Sequence, residues 1–170
     1  FTSSDAFSSL LKANLQLNQG AYENAAQTFF SIAEKYHSSE LAEKATFLAL
    51  QTLNLKMATQ SASLWANLSP NNELAQYYSI LLELENSPEQ AYTTLKKLSL
   101  KSQPDFFVKF ALKVEQNIGS EVAKKNWDKL IEKMRQAQNN NPAILFLAAY
   151  KNFHLGNISQ GLTNINQVLI

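Results

Sequence analysis

Apolar residues recur along the chain at helical spacing, and the recurrence itself repeats. Ala25, Ala58 and Ala91 stand 33 residues apart. Each is followed four residues later by Phe29, Ala62 or Leu95, and seven later by Ile32, Trp65 or Leu98. Offsets of i, i+4 and i+7 trace one face of an α-helix. Ala123, Trp127 and Leu130 continue the series 32 residues on, and Gly161, Ile165 and Val168 add a looser copy after a further 38. A second apolar-periodic segment precedes each copy. The pattern predicts helices near 5–18, 22–36, 40–54, 57–67, 73–85, 88–101, 105–117, 120–138, 143–155 and 158–170. No strand-like alternation interrupts it, so the expected fold is all-α: a solenoid of about five helix-turn-helix repeats.

Local signals mark the ends of these segments. Ser87, Pro88 and Gln90 have the spacing of a capping box with proline at the first helical position. Asn141 before Pro142 reads as a second N-cap. Gly20, Gly119 and Gly156 fall between helices, where a left-handed residue can end one and admit the next. Repeats are expected near 5–38, 39–71, 72–103, 104–141 and 142–170, within one domain spanning 1–170.

Composition narrows the chemistry. With 45% hydrophobic and 17% charged residues the chain is predicted to fold, and scarce glycine and proline, four of each, agree with helices. No apolar run reaches the about 20 residues that span a bilayer. There is no cysteine, which removes disulfides, thiolate catalysis and cysteine-ligated metals together. The chain opens on Phe1 without an initiator methionine and closes on "NINQVLI" within a predicted helix, which predicts a processed piece of a longer protein. On that reading Ile158, Leu162, Ile165 and Leu169, with Val168 and Ile170 beside them, form an apolar face that either frays or pairs with a second copy.

Catalytic constellations are missing. The two histidines, His37 and His154, lie in different repeats, and His37 suits a helix C-terminus through its charge. No His-x-x-x-His pair, Gly-x-Ser-x-Gly elbow or glycine-rich phosphate loop occurs. Glu83 and Glu85 in "ELEN" diverge on a helix and read as a solvated face. Trp65 and Trp127 hold matching positions and read as core. Neither a catalytic residue nor a cofactor or metal is expected.

Charge is unevenly spread: residues 1–92 carry a net −5 and residues 93–170 a net +6. In "SEVAKKNWDKLIEKMRQAQ", Lys125, Lys129 and Lys133 form a stripe that could meet nucleic acid or anionic lipid. Interspersed Glu121, Asp128 and Glu132, an expected Glu121–Lys125 pair, and a single arginine, Arg135, favour a solvated face instead.

The motif places also carry a family resemblance. Ala13, Gly20, Tyr22, Ala25 and Phe29 match the small, turn, aromatic, alanine and aromatic positions of the tetratricopeptide repeat, with Tyr22 and Phe29 filling space beside Ala25. Lys12 stands where leucine is usual, and the second copy has no turn glycine. Residues 1 to about 100 resemble the opening repeats of large bacterial proteins of this type. These are commonly periplasmic outer-membrane lipoproteins, some of them adaptors for a carboxyl-terminal processing protease. The resemblance implies a noncatalytic scaffold, periplasmic and anchored by an upstream lipid, although a cytoplasmic location stays open. Its partner would be such a protease, its substrates, or another protein or peptide, held in a concave groove. The groove residues predicted from the register are Asn14, Asn18, Phe47, Gln51, Tyr77, Ile80, Leu112 and Tyr150. They lack the Lys/Asn cluster that clamps a terminal carboxylate. A helical subunit of an enzyme or envelope assembly machine is the alternative, and nucleic-acid or membrane binding through residues 96–135 a further one.

Overall fold

In a computed structural model that describes residues 4–168, ten α-helices follow one another and no strand occurs among the described residues. They are α1 (Ser4–Asn18), α2 (Tyr22–Tyr36), α3 (Ser39–Gln51), α4 (Leu55–Leu68), α5 (Glu73–Asn86), α6 (Pro88–Lys101), α7 (Pro104–Gln116), α8 (Glu121–Ala137), α9 (Pro142–His154) and α10 (Ile158–Val168). Their order matches the apolar periodicity segment by segment. The fold is all-α.

Side-chain caps set several starts by answering amides that have no partner within the helix. Ser38 accepts from the Leu41 N–H, Asn54 from Met57 at 3.1 Å, and Ser120 from Ala123 at 3.0 Å. Asn141 accepts from both Ala143 and Ile144, as its place before Pro142 predicts. Ser87 departs from its expected role. Its side chain makes no capping bond; its carbonyl accepts from the Gln90 and Ala91 amides instead. Proline's fixed φ at the first turn starts α6 without help from the hydroxyl. Gly20 and Gly156 are left-handed, with φ of 74° and 76°, but Gly119 is not, because the α7–α8 turn closes without a left-handed residue there.

The helices group into two compact units, Phe1–Leu82 and Glu83–Ile170, divided within α5. In the first, α1 packs on α2, α2 on α3 and α3 on α4, and α2 also touches α4. Its core joins Ala13, Ala25, Phe29, Ile32, Ala45 and Trp65, with Ala26, Ala49, Met57 and Ala58 in an adjoining cluster. In the second, α6 meets α7 and α8, while α9 meets α7, α8 and α10. Within each unit, helices thus touch sequence neighbours and next-but-one neighbours, as repeated helix pairs do.

The small recurring positions are buried ones, while Leu98 and Ile165, later in their copies, are half-buried. Ala25, Ala58 and Ala91 are fully buried and Ala123 nearly so. Gly161 is buried as well, and a β-carbon there would stand 2.8 Å from the Phe153 ring. Each offers the small surface that lets a second helix approach. Phe29, Leu95, Trp65 and Trp127 fill space beside them, and burying one such side chain stabilises by about 1.5–3 kcal/mol. Tyr22 behaves differently from expectation. It is the first residue of α2 and stays 39% exposed, leaving Phe29 to pack beside Ala25. Ile158 and Leu162 of the predicted apolar face are exposed, and Ile165 is half-buried. The Val168 side chain, Leu169 and Ile170 lie outside the described residues.

Candidate functional site

A cleft of about 410 Å³ opens in the first unit, lined by Leu17 of α1, Phe29 of α2 and Glu40, Glu43, Lys44, Phe47, Leu48 and Gln51 of α3. Buried Phe29 and half-buried Leu17 and Leu48 form its depth, and exposed Glu40, Lys44 and Gln51 its rim. The α3 spacing explains the wall: residues 40, 43, 44, 47, 48 and 51 follow the three- and four-residue steps of one helix face.

Phe47 is the exposed aromatic of this cleft, and its neighbours fix it. Its ring meets Trp65 edge-on, with centroids 5.8 Å apart, and Tyr78 at 5.3 Å and 87°. Tyr78 in turn stacks on Trp65 and stands edge-on to Tyr77 at 5.5 Å. Such contacts are individually worth about 0.5–1.5 kcal/mol. The Phe47 ring nevertheless remains 37% exposed. An aromatic held on one side and open on the other loses little freedom when something covers it.

Of the predicted groove residues, the cleft gathers Phe47 and Gln51. Asn14 and Asn18 are exposed on α1, and the Asn14 amide donates back to the Leu10 carbonyl at 2.9 Å. Tyr77 is half-buried, and burial together with the neighbouring Tyr78 hydroxyl raises its pKa. Ile80 is the correction. It is fully buried because the inward face of α5 runs through Ala75, Gln76, Ser79, Ile80, Glu83 and Leu84, so no partner can reach it. Leu112 and Tyr150 belong to the second unit, both half-buried, and the Tyr150 ring stands edge-on to His154 at 4.3 Å. Leu17, Phe29, Glu40, Glu43, Lys44 and Leu48 line the cleft unforeseen, since the cleft itself depends on how α1, α2 and α3 come together.

Several charged groups in the second unit pair with one another. Lys133 pairs with Glu89 at 2.5 Å and lies over the Tyr92 ring, 4.1 Å from its centroid. Lys151 pairs with Asp128 at 3.0 Å, and Arg135 with Glu132 at 2.7 Å. Glu121 pairs at 2.8 Å with Lys124, one turn away at i+3, and not with Lys125 as the spacing at i+4 predicts. The Lys124 bond holds the Glu121 carboxyl below its ordinary range, with Lys125 contributing only through its charge.

Two carboxylates break the expected pattern. Glu83 is only 3% exposed, against the solvated face read from "ELEN", and accepts from the Thr94 hydroxyl at 3.2 Å. Glu115 is half-buried, and burial raises its pKa; Asp128 pushes the same way, while His154, Lys151 and a Trp127 hydrogen bond oppose. Among the described residues no three His, Asp or Glu side chains gather as a metal site would require, and no helix is long and apolar enough to cross a membrane. Comparison with family models, curated proteins and solved structures finds no match for the chain.

Proposed function

We propose that the protein is a noncatalytic binding scaffold whose first unit holds a peptide segment of a protein partner against α3. Both units are read here as stacks of degenerate tetratricopeptide-type helix pairs, supported by the recurring small positions and their burial. The observation that carries the function is the cleft with Phe47 fixed beside an apolar depth.

Its shape favours a peptide over a compact ligand. Glu40 and Gln51 both line the cleft, eleven residues apart on one helix. At about 1.5 Å per residue they lie about 16 Å apart, the length of roughly five extended residues. A volume of about 410 Å³ along that length suits one or two large side chains with the backbone lying over the rim. Amide groups such as Gln51 can bond a peptide backbone without demanding a sequence, and an apolar depth selects large side chains.

Selection of a random twelve-residue phage-displayed library on the intact chain tests the reading. Enriched peptides are expected, and Phe47→Ala and Gln51→Ala should each weaken their binding while the melting temperature reports the fold. If no peptide enriches, or if enriched peptides bind both variants as well as the parent, the cleft is not a peptide site.

A further inference from the structure

Glu43 lines the cleft as a half-buried carboxylate, yet it makes no ion pair among the described residues. The basic residue of the lining, Lys44, is bound to Glu40 one turn back at 3.0 Å. The lining therefore holds two carboxylates and one committed ammonium beside the apolar surface of Leu17, Phe29, Phe47 and Leu48. The unit around it leans the same way, with four lysines against six acidic residues in 1–82.

A ligand that covers this cleft removes water from Glu43. Desolvating an uncompensated carboxylate is unfavourable, and an acidic ligand would add repulsion to that cost. A cation brought by the ligand offsets both. Glu43 and Phe47 are four residues apart on α3 and so share a face, which sets the carboxylate one helical turn from the aromatic wall. We infer that the partner segment carries a large apolar side chain with a lysine or arginine within two residues of it. The apolar group fills the space beside Phe47, and the cation meets Glu43 at the edge.

This inference rests on the peptide-binding reading, and the composition of the selected peptides separates the two. Among peptides that lose binding on Phe47→Ala, the expected result is enrichment of Lys or Arg next to Leu, Phe or Trp. A synthetic peptide of that kind should bind the parent about twofold to fivefold more tightly than its Lys→Gln counterpart, the range of a single solvent-accessible pair. Glu43→Gln, which keeps the stem and removes the charge, should erase that difference, and 0.5 M salt should shrink it. If enriched peptides are neutral or acidic, or if Glu43→Gln leaves the discrimination intact, the charge assignment is wrong while the peptide site stands. If nothing enriches, both fall together.

Discussion

Leu53 occupies the backbone conformation that Gly20 occupies 33 residues earlier: φ is 58° at Leu53 and 74° at Gly20. The α3–α4 connection thus has the left-handed residue of the α1–α2 connection while lacking the glycine. A left-handed leucine crowds its own β-carbon against the backbone, at a cost of about 1–2 kcal/mol. The Leu53 side chain recovers little of this, being 81% exposed. Leu53→Gly is therefore expected to stabilise by up to about 1 kcal/mol, the relief of strain exceeding the added freedom of the unfolded chain. Gly20→Ala should do the reverse by a similar amount, since a β-carbon there meets nothing within 4 Å and only the backbone resists. Urea midpoints at constant slope measure both. A clear loss of stability in Leu53→Gly would mean that the exposed side chain holds the turn by contact.

The small positions give a sharper test of register. Ala58 and Ala91 have no exposed surface, and Ala58 sits among Ala26, Ala49 and Met57 where α2, α3 and α4 meet. Ala58→Leu or Ala91→Leu should destabilise by about 1–3 kcal/mol through overpacking. Mutants that melt with the parent would sever the link between the 33-residue recurrence and the packing.

Buried Glu83 invites a different substitution. Thr94→Val keeps the shape of the side chain and withdraws a hydroxyl that donates to the Glu83 carboxylate at 3.2 Å. Leaving a carboxylate that is 3% exposed one donor short should lower stability by about 1–3 kcal/mol. Thr93→Val, on the exposed neighbour, is the control and should lie within about 0.5 kcal/mol of the parent. Equal effects at the two threonines would remove Glu83 from the account.

These tests also mark where the sequence was readable. Helix order was legible because a buried face repeats every three to four residues, whatever the tertiary partners. The α3 wall was legible in Phe47 and Gln51 for the same reason. Leu53 was not, because nothing in a leucine announces a left-handed turn; only its distance from Gly20 does. Glu83 and Ile80 were misread together, since both belong to the inward face of α5, and a carboxylate on that face reads as solvated until its neighbours are known. Glu43 shares the α3 face of Phe47, four residues back, so spacing alone sets it on the wall. What local spacing does not carry is that Leu17 of α1 and Phe29 of α2 complete the cleft, a fact of tertiary packing.

One part of the pH response should come from Glu115. Burial is the largest influence on its carboxyl, Asp128 adds to it, and His154, Lys151 and the indole N–H of Trp127 oppose without prevailing, so the folded pKa is raised above the ordinary 4.5. For a carboxyl with a raised folded value, the native state binds the proton more readily than the unfolded state does. Its charged form therefore weakens the fold above the folded pKa. That penalty is relieved as pH falls through the folded pKa and is gone below the unfolded value. Glu115→Gln removes the charge and keeps an oxygen that can accept from Trp127. The variant is expected to be more stable than the parent at pH 7, with the advantage shrinking as pH is lowered and vanishing below the ordinary carboxyl value. Denaturation midpoints of both chains between pH 7 and pH 4 measure it. A gap that stays constant across that range would assign the effect to packing, and a parent that is the more stable at pH 7 would show that Lys151 and His154 outweigh burial.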